Sequence, residues 1–226
     1  MTKSRMIETN IGLQGEFIAK DYDDIMRESR DKGQLYTDEI IKFGITNGNA
    51  LEIGPGPGYL GLEWLKKTTG TTLISLDISP DMIKIAEKNA ADYGFLNDRV
   101  TYRVNDAREL PFEDNTFDAV FANASLHEWE APEATLNEIH RVLKSYGRYF
   151  ISDLRRDMNP VAKLLMKMQT KKKELRAGLV ASINAAYTEE EIKTMLLRTN
   201  LSDFKISKNP FSLIVKGIKK LNHQQL

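Results

Sequence analysis

Leu51-Glu52-Ile53-Gly54-Pro55-Gly56-Pro57-Gly58 sets a short apolar run against three glycines at alternate positions, and Tyr59 to Thr68 continues in a helical pattern. A strand that runs into a glycine loop and out into a helix opens a βαβ unit. Glycines there let the backbone turn sharply and let a ligand come close. The dinucleotide fingerprint G-x-G-x-x-G does not fit, because the third glycine falls one residue early. Pro55 and Pro57 also have no N–H, so the loop lacks two donors that a phosphate cradle would use. It reads as the seat of a ligand without phosphate there, with Glu52 at the strand end suited to a cationic group.

The same alternation of elements runs outward from this loop. Thr71 to Asp77 is a continuous apolar run of the kind found in strands covered on both faces. Ser79-Pro80-Asp81 supplies an N-cap, a proline at the first helical position and an acid in the first turn, and Met82, Ile83, Ala86 and Ala90 follow at helical spacing. Arg99 to Asn105 alternates at period two, and Phe117 to Ala122 is a fourth strand. Leu136, Ile139, Val142 and Leu143 mark one face of a helix that Gly147 is placed to end, and Tyr149 to Asp153 is a fifth strand. Strands separated by helices of this length predict a mostly parallel sheet. Thr188-Glu189-Glu190-Glu191 is a capping-box pattern, and the runs 204–207 and 211–215 flank Lys208-Asn209-Pro210, so the last two strands must pair antiparallel.

Composition narrows the function. The 226 residues hold 32 basic and 32 acidic side chains, which gives no bulk attraction for nucleic acid or anionic membrane. With no cysteine, disulfide frameworks, thiolate zinc sites and cysteine nucleophiles are excluded, and three histidines argue against a multi-histidine metal centre, so no metal is expected. Met1 to Phe17 has no apolar core of a signal peptide and no run approaches a membrane span. The expectation is a soluble cytoplasmic protein of one domain, 1–226, with two segments outside the sheet: an N-terminal cap, 1–48, and an insertion, 154–187. Both adjoin the carboxyl edge of the strands, where open α/β sheets bind ligands.

Acids follow strands one, two and three. Asp77 ends the second strand, where a carboxylate can accept both hydroxyls of a ribose, and Asn105-Asp106-Ala107 ends the third, where Asp106 can accept from an adenine amino group. Their convergence on one crevice raises each above a turn-capping role. The stretch from Ala50 to about Asp153 resembles the class I S-adenosylmethionine-dependent methyltransferases, in particular the small-molecule branch with the quinone-biosynthesis C-methyltransferases. The residues that carry the likeness are Leu51 to Gly58, Leu76 to Met82, Asn105 to Phe112, Phe117 to Phe121, Leu126-His127 and Glu138 to Lys144. Ser145-Tyr146-Gly147 departs from the family's usual Pro-Gly-Gly. The resemblance implies a Rossmann-like α/β fold of seven strands, mostly parallel, with an antiparallel terminal hairpin, helices on both faces and a helical cap. It implies S-adenosyl-L-methionine as cofactor, with Glu52, Gly54, Gly56 and Gly58 at the methionine moiety and Asp77, with Ile78 beside it, at the ribose. Asp106 and Ala107 would meet the adenine, and Asn123 would lie near the sulfonium.

Methyl transfer needs alignment and dryness more than covalent help. His127, in His127-Glu128-Trp129 after the fourth strand, is the best-placed titratable group should the acceptor arrive protonated. Tyr22 resembles the family's N-terminal tyrosine that closes over the cofactor. Asp153, Arg155 and Tyr187, at the two ends of the insertion, are candidates for holding the acceptor. From Arg155 to Arg176 the insertion has eight basic residues against two acids, and Val161, Leu164, Leu165 and Met168 recur at helical spacing. This basic helix, 155–176, can cover an apolar substrate, lie on an anionic membrane or meet RNA phosphates. The expectation is a lid with a solvated lysine face, a small-molecule acceptor, no nucleic-acid partner and no association with anionic vesicles. The alternatives are an RNA or protein methyltransferase, or a non-catalytic cofactor-binding protein of the same fold.

Overall fold

The computed structural model describes residues 4–6, 16–170, 173–201 and 203–220. Seven strands form one sheet in the order β3-β2-β1-β4-β5-β7-β6, built from β1 (Gly48–Ile53), β2 (Thr71–Asp77), β3 (Val100–Val104), β4 (Phe117–Asn123), β5 (Leu143–Leu154), β6 (Phe204–Lys208) and β7 (Ser212–Ile218). The first five run parallel, and β7 lies antiparallel between β5 and β6, as the short 208–211 connection requires. The chain winds outward from β1 to β3, then returns to place β4 on the other side of β1. This reversal opens a crevice at the carboxyl ends of β1 and β4.

Each face of the sheet holds its own apolar cluster. On one, Ile40, Leu60, Leu62, Trp64, Ala86 and Ala90 pack over Leu73, Phe121 and Phe150, bringing in α2 (Thr37–Lys42), α3 (Tyr59–Lys67) and α4 (Pro80–Tyr93). On the other, Leu136, Ile139, Ile192 and Leu196 from α5 (Pro132–Val142) and α8 (Glu189–Leu196) pack over Leu51, Val120, Tyr149 and Ile151. Near-continuous burial along most of β1 and β4 explains why their sequences do not alternate, while Thr72 and Ile74 leave one face of β2 partly open. The helix starts follow the sequence signals. Ser79 Oγ accepts from the Met82 N–H (3.3 Å), and Thr188 and Glu191 form both bonds of the capping box (3.3 and 2.8 Å).

Two expectations need correction. Gly147 does not end α5, which stops at Val142 and passes directly into β5. Gly147 lies within β5, beside the register shift against β4, where a Cβ would come within 2.8 Å of the Lys144 carbonyl oxygen. The insertion is not one helix over 155–176 but two, α6 (Pro160–Gln169) and α7 (Lys173–Ala185). Asn159 caps the first by accepting from the Ala162 N–H (2.8 Å). Lys171 and Lys172, between the two, lie outside the described residues, as do most of residues 1–15. The N-terminal segment is described from α1 (Glu16–Asp31), which packs on α3 and α4.

The capping box sets the entry to α8, whose Ile192 and Leu196 complete one core layer. Replacing Thr188 by Ala should lower unfolding free energy by about 1 kcal/mol, read as a shifted urea midpoint with an unchanged slope.

Candidate functional site

The crevice at the switch point is lined from β1 by Ile53, Gly54 and Gly56, from the end of β2 by Leu76, Asp77 and Ile78, and from the end of β3 by Asn105, Asp106, Ala107 and Arg108. Ala124, Ser125, Glu128, Trp129 and Glu130 supply the wall beyond β4, Met82 and Thr135 close its base, and Tyr22 from α1 covers the glycine loop.

Asp77 ties this wall together. Its Oδ2 accepts from the Gly56 N–H (3.1 Å) and its Oδ1 from the Ser79 N–H (2.9 Å). Burial pushes the carboxyl up, and the N–H bonds from Ser79, Gly56 and Ile78 oppose that shift. A carboxylate can accept about four hydrogen bonds, so these three backbone donors leave it some capacity toward the crevice. Gly54 and Gly56 both have positive φ (66° and 53°). A Cβ on Gly54 would come 2.6 Å from Ser125 Cβ and has no room, and one on Gly56 would sit 3.2 Å from the Tyr22 ring, which would have to give way.

Tyr22 is enclosed here, and its hydroxyl is pushed well above its ordinary pKa by burial first, then by the charges of Glu128, Asp77 and Asp153. It is held by the next residue of α1. Asp23 Oδ1 accepts from Asn89 Nδ2 (2.9 Å), and the same amide nitrogen donates to the Pro57 carbonyl oxygen (2.9 Å). The third acid forms the rim. Asp106 accepts from the Arg108 N–H and Nε (both 2.8 Å), and Arg108 bridges on to Glu130 on the far wall. Partial burial raises the Asp106 carboxyl, but its bonds and charge contact with Arg108 outweigh that and hold it below the usual range.

Other residues read from the sequence stand behind the crevice rather than on its wall. Glu52, 1% exposed, faces α3, where Oε2 accepts from Ser75 Oγ (3.0 Å) and a Cβ on Gly61 would come within 2.4 Å of it. It lies behind the glycine loop and is not among the residues that line the crevice. Gly58 (φ 86°) begins α3 against Tyr102 and Ala86, where a side chain would clash, so it serves packing. Asn123 Oδ1 accepts from Ser152 Oγ (2.7 Å) and is likewise off the wall. His127 is 3% exposed. Its backbone N–H and Nδ1 both bond Asp153 (2.6 and 2.8 Å), its carbonyl oxygen accepts from Arg5, and Nε2 lies 3.8 Å from Glu128 Oε1. The carboxylate can only accept, so Nδ1 carries the proton. Asp153 is thereby committed to His127. Arg155 pairs with Asp157 (2.8 Å) and turns to the Asn209 carbonyl oxygen, while Tyr187 lies under the Arg5 guanidinium beside α8. None of these three reaches the crevice.

Residues the sequence did not single out include Ala124, Ser125, Glu130 and Thr135. Ala124 carries a positive φ (53°), held by its N–H bond to the Ser152 carbonyl oxygen (2.8 Å), and no residue preference advertises that turn. Met82 reads from its spacing as core and serves as both core and wall.

A sequence profile for the methyltransferase domain matches residues 51–151, the span from β1 to β5. The chain is 31% identical over 181 residues to the ubiquinone/menaquinone biosynthesis C-methyltransferase UbiE of Blochmanniella pennsylvanica, covering 73% of this chain and 70% of that protein. The Rickettsia prowazekii protein of the same name is 26% identical over 212 residues, 91% of this chain and 84% of its own. A solved Methanococcus maripaludis structure, assigned as S-adenosyl-L-methionine-dependent methyltransferase, superposes with a TM-score of 0.72 at 26% identity, over 99% of this chain and all of that one. The chain belongs to the class I S-adenosylmethionine-dependent methyltransferases and is an enzyme of that class. Within it, the chain resembles the ubiquinone/menaquinone biosynthesis C-methyltransferases.

Glu52 gives the site a pH signature. Burial, opposed by its Ser75 and Gly61 bonds, pushes its carboxyl from 4.5 up to about 8. Between those values the folded protein holds a proton that the unfolded chain has lost, so stability falls as pH rises through this window. Glu52→Gln should flatten that decline, and its stability relative to the native protein should rise from pH 5 to pH 8 in urea titrations.

Proposed function

We propose that this enzyme transfers the methyl group of S-adenosyl-L-methionine to a small, predominantly apolar acceptor in the crevice above β1 and β4. The observation that favours this reading is the charge of the wall. Asp77, Asp106, Glu128 and Glu130 line it against one cation, Arg108, and that cation pairs with two of them. A polyanionic acceptor would have to enter a mouth of its own sign, which argues against RNA. Leu76, Ala124, Trp129 and Tyr22 make the remainder apolar and aromatic. The names of the UbiE relatives, which specify transfer to carbon in quinone biosynthesis, support an acceptor of this kind.

The residues on the wall fit the cofactor. Asp77 retains acceptor capacity for the ribose hydroxyls, with Ile78 beside it. Gly54 and Gly56 leave bare backbone for the methionine moiety, and Asp106 with Ala107 stands where the adenine edge would lie. When bound, S-adenosylmethionine supplies an already activated methyl on sulfur. The protein's part is to orient the acceptor and exclude water. Tyr22 does the second, as a ring closing over Gly56 from a helix anchored to the loop through Asp23 and Asn89. Glu128 is the titratable group on the wall nearest His127, so proton acceptance is assigned to Glu128. His127 and Asp153 fix the turn that presents it.

Asp77→Ala should weaken S-adenosylhomocysteine binding roughly ten- to a hundredfold in calorimetry, because the lost charge-assisted bonds contribute about 1.5–3 kcal/mol. The variant should remain folded. Gly56→Val should abolish binding, since its side chain would enter the space between loop and Tyr22. Unchanged affinity in either folded variant would remove that residue from the site.

Acceptor class is read by presenting methyl-labelled cofactor with extracted small metabolites, with total RNA and with cell protein in separate reactions. Label should enter the small organic-soluble fraction alone. Label in RNA or protein would replace the small-molecule reading, and no label in any fraction, with cofactor bound, would favour a non-catalytic binding protein.

A further inference from the structure

The insertion presents to solvent the face that its sequence pattern marks for burial. In α6, Ala162 and Met166 pack against Met158, Leu179 and Ile183, and this anchors the helix to the body of the protein. The opposite face holds Val161, Leu164, Leu165 and Met168, which are 66%, 58%, 45% and 67% exposed. Their spacing of i, i+3, i+4 and i+7 places them in one stripe. Among the described residues eleven large hydrophobic side chains are exposed, and these eight positions hold four of them. The other seven are scattered, as single exposed apolar residues normally are. The apolar stripe that the sequence spacing marks on this helix is thus turned outward, with no covering element among the described residues.

The sequence that carries the stripe is predominantly basic. Arg155 and Arg156 are taken up by Asp157 and Glu191 and contribute little outward field. From Pro160 to Arg176 the sequence still has six basic residues against one acid. Lys167 and Arg176 are exposed, and Lys163 reaches back to the Arg156 carbonyl oxygen (2.8 Å). A short helix with an apolar stripe in a predominantly basic stretch of sequence is suited to the boundary between headgroups and acyl chains. Among the described residues no helix is long and apolar enough to cross a membrane, so the contact would lie in the surface plane.

Other occupants fit less well. A second copy meeting the stripe across a two-fold axis would bring the same basic stretch against itself. One face of a ten-residue helix also falls short of the roughly 800 Å² per partner usual in a stable dimer. Single-stranded RNA needs stacking aromatics, and α6 has none. It would leave the stripe in water.

We propose that α6 is a docking helix for anionic bilayers, with Val161, Leu164, Leu165 and Met168 entering the interface and the exposed Lys167 and Arg176 contacting lipid headgroups. Because α6 follows the carboxyl end of β5, docking would set the edge that carries the crevice beside the bilayer. The inference does not depend on the methyl acceptor, since its readout is vesicle binding alone.

The test is sedimentation of the full chain with vesicles of phosphatidylcholine, with or without phosphatidylglycerol, at low salt. The native protein should sediment with the anionic vesicles, at least ~10-fold more strongly than with neutral ones, as attraction of about fivefold per surface lysine implies. Leu164→Gln with Met168→Gln should reduce that binding at least ~10-fold. Neither residue lines the crevice, so S-adenosylhomocysteine affinity should be unchanged, and that measurement reports an intact fold. The proposal is overturned if the native protein stays in solution with anionic vesicles, or if the double variant sediments like the native protein. It is equally overturned if sedimentation equilibrium shows a dimer that the double substitution converts to monomer.

Discussion

One carboxylate holds the two loops of the crevice in register. Asp77, the last residue of β2, accepts from Gly56 in the loop after β1 and from Ser79 at the entry to α4. A carboxylate partly removed from water is stable only where donors meet it, so the position of Asp77 dictates where those N–H groups must point. Gly56 meets the demand with a positive φ that an L side chain rarely adopts. Ser79 meets it while its own hydroxyl caps α4. Asn89, on α4, then reaches both the Pro57 carbonyl oxygen and Asp23 of α1. The ring of Tyr22 over the glycine loop is thus the far end of a chain of bonds that begins at the end of β2. Chemistry and scaffold share the same atoms here, and this is why the crevice needs so few residues to define it.

What could be read from the sequence follows the range of the interaction involved. The caps at Ser79 and Thr188 are local, since donor and acceptor lie three residues apart, and both were legible. The strands, the terminal hairpin and the edge where acids gather were legible for the same reason. Strand parity was not. β1 is buried on both faces, so no alternation marks which way Glu52 points, and it points away from the crevice toward Gly61. Asn123 illustrates the same limit at the end of β4. The partners of Arg156 and Asp153, Glu191 and His127, come from helices and turns distant in sequence, and a charged residue gives no sign of whether it is already paired. Gly147 read as a helix stop because glycine marks several kinds of irregular backbone, and here it accommodates a shift of register within β5.

The zero net charge of the chain conceals a separation of sign. Acids concentrate on the crevice wall, where Arg108 is the lone cation among the lining residues and is paired twice. Bases concentrate in the insertion, beyond the two arginines held by Asp157 and Glu191. Both regions adjoin the carboxyl edge of the sheet. An ordinary Debye length of about 8 Å keeps such neighbouring fields distinct in water.

That separation constrains any partner that meets the edge as a whole. A uniform polyanion drawn to the insertion would be repelled by the crevice, so a single nucleic-acid strand satisfies one region at the expense of the other. A neutral acceptor avoids the conflict, because the acidic wall costs an uncharged molecule little and its apolar and aromatic members, Leu76, Trp129 and Tyr22, favour burial of a hydrocarbon surface. A surface with anionic groups spread over an apolar interior matches both regions at once. Its charge faces the bases of the insertion, its interior takes the exposed stripe of α6, and an uncharged molecule dissolved in it can leave toward the crevice without carrying phosphate across the acidic rim. The same distribution of charge therefore disfavours RNA at the site and makes an apolar acceptor compatible with an anionic surface, through a single electrostatic argument applied to two parts of one edge.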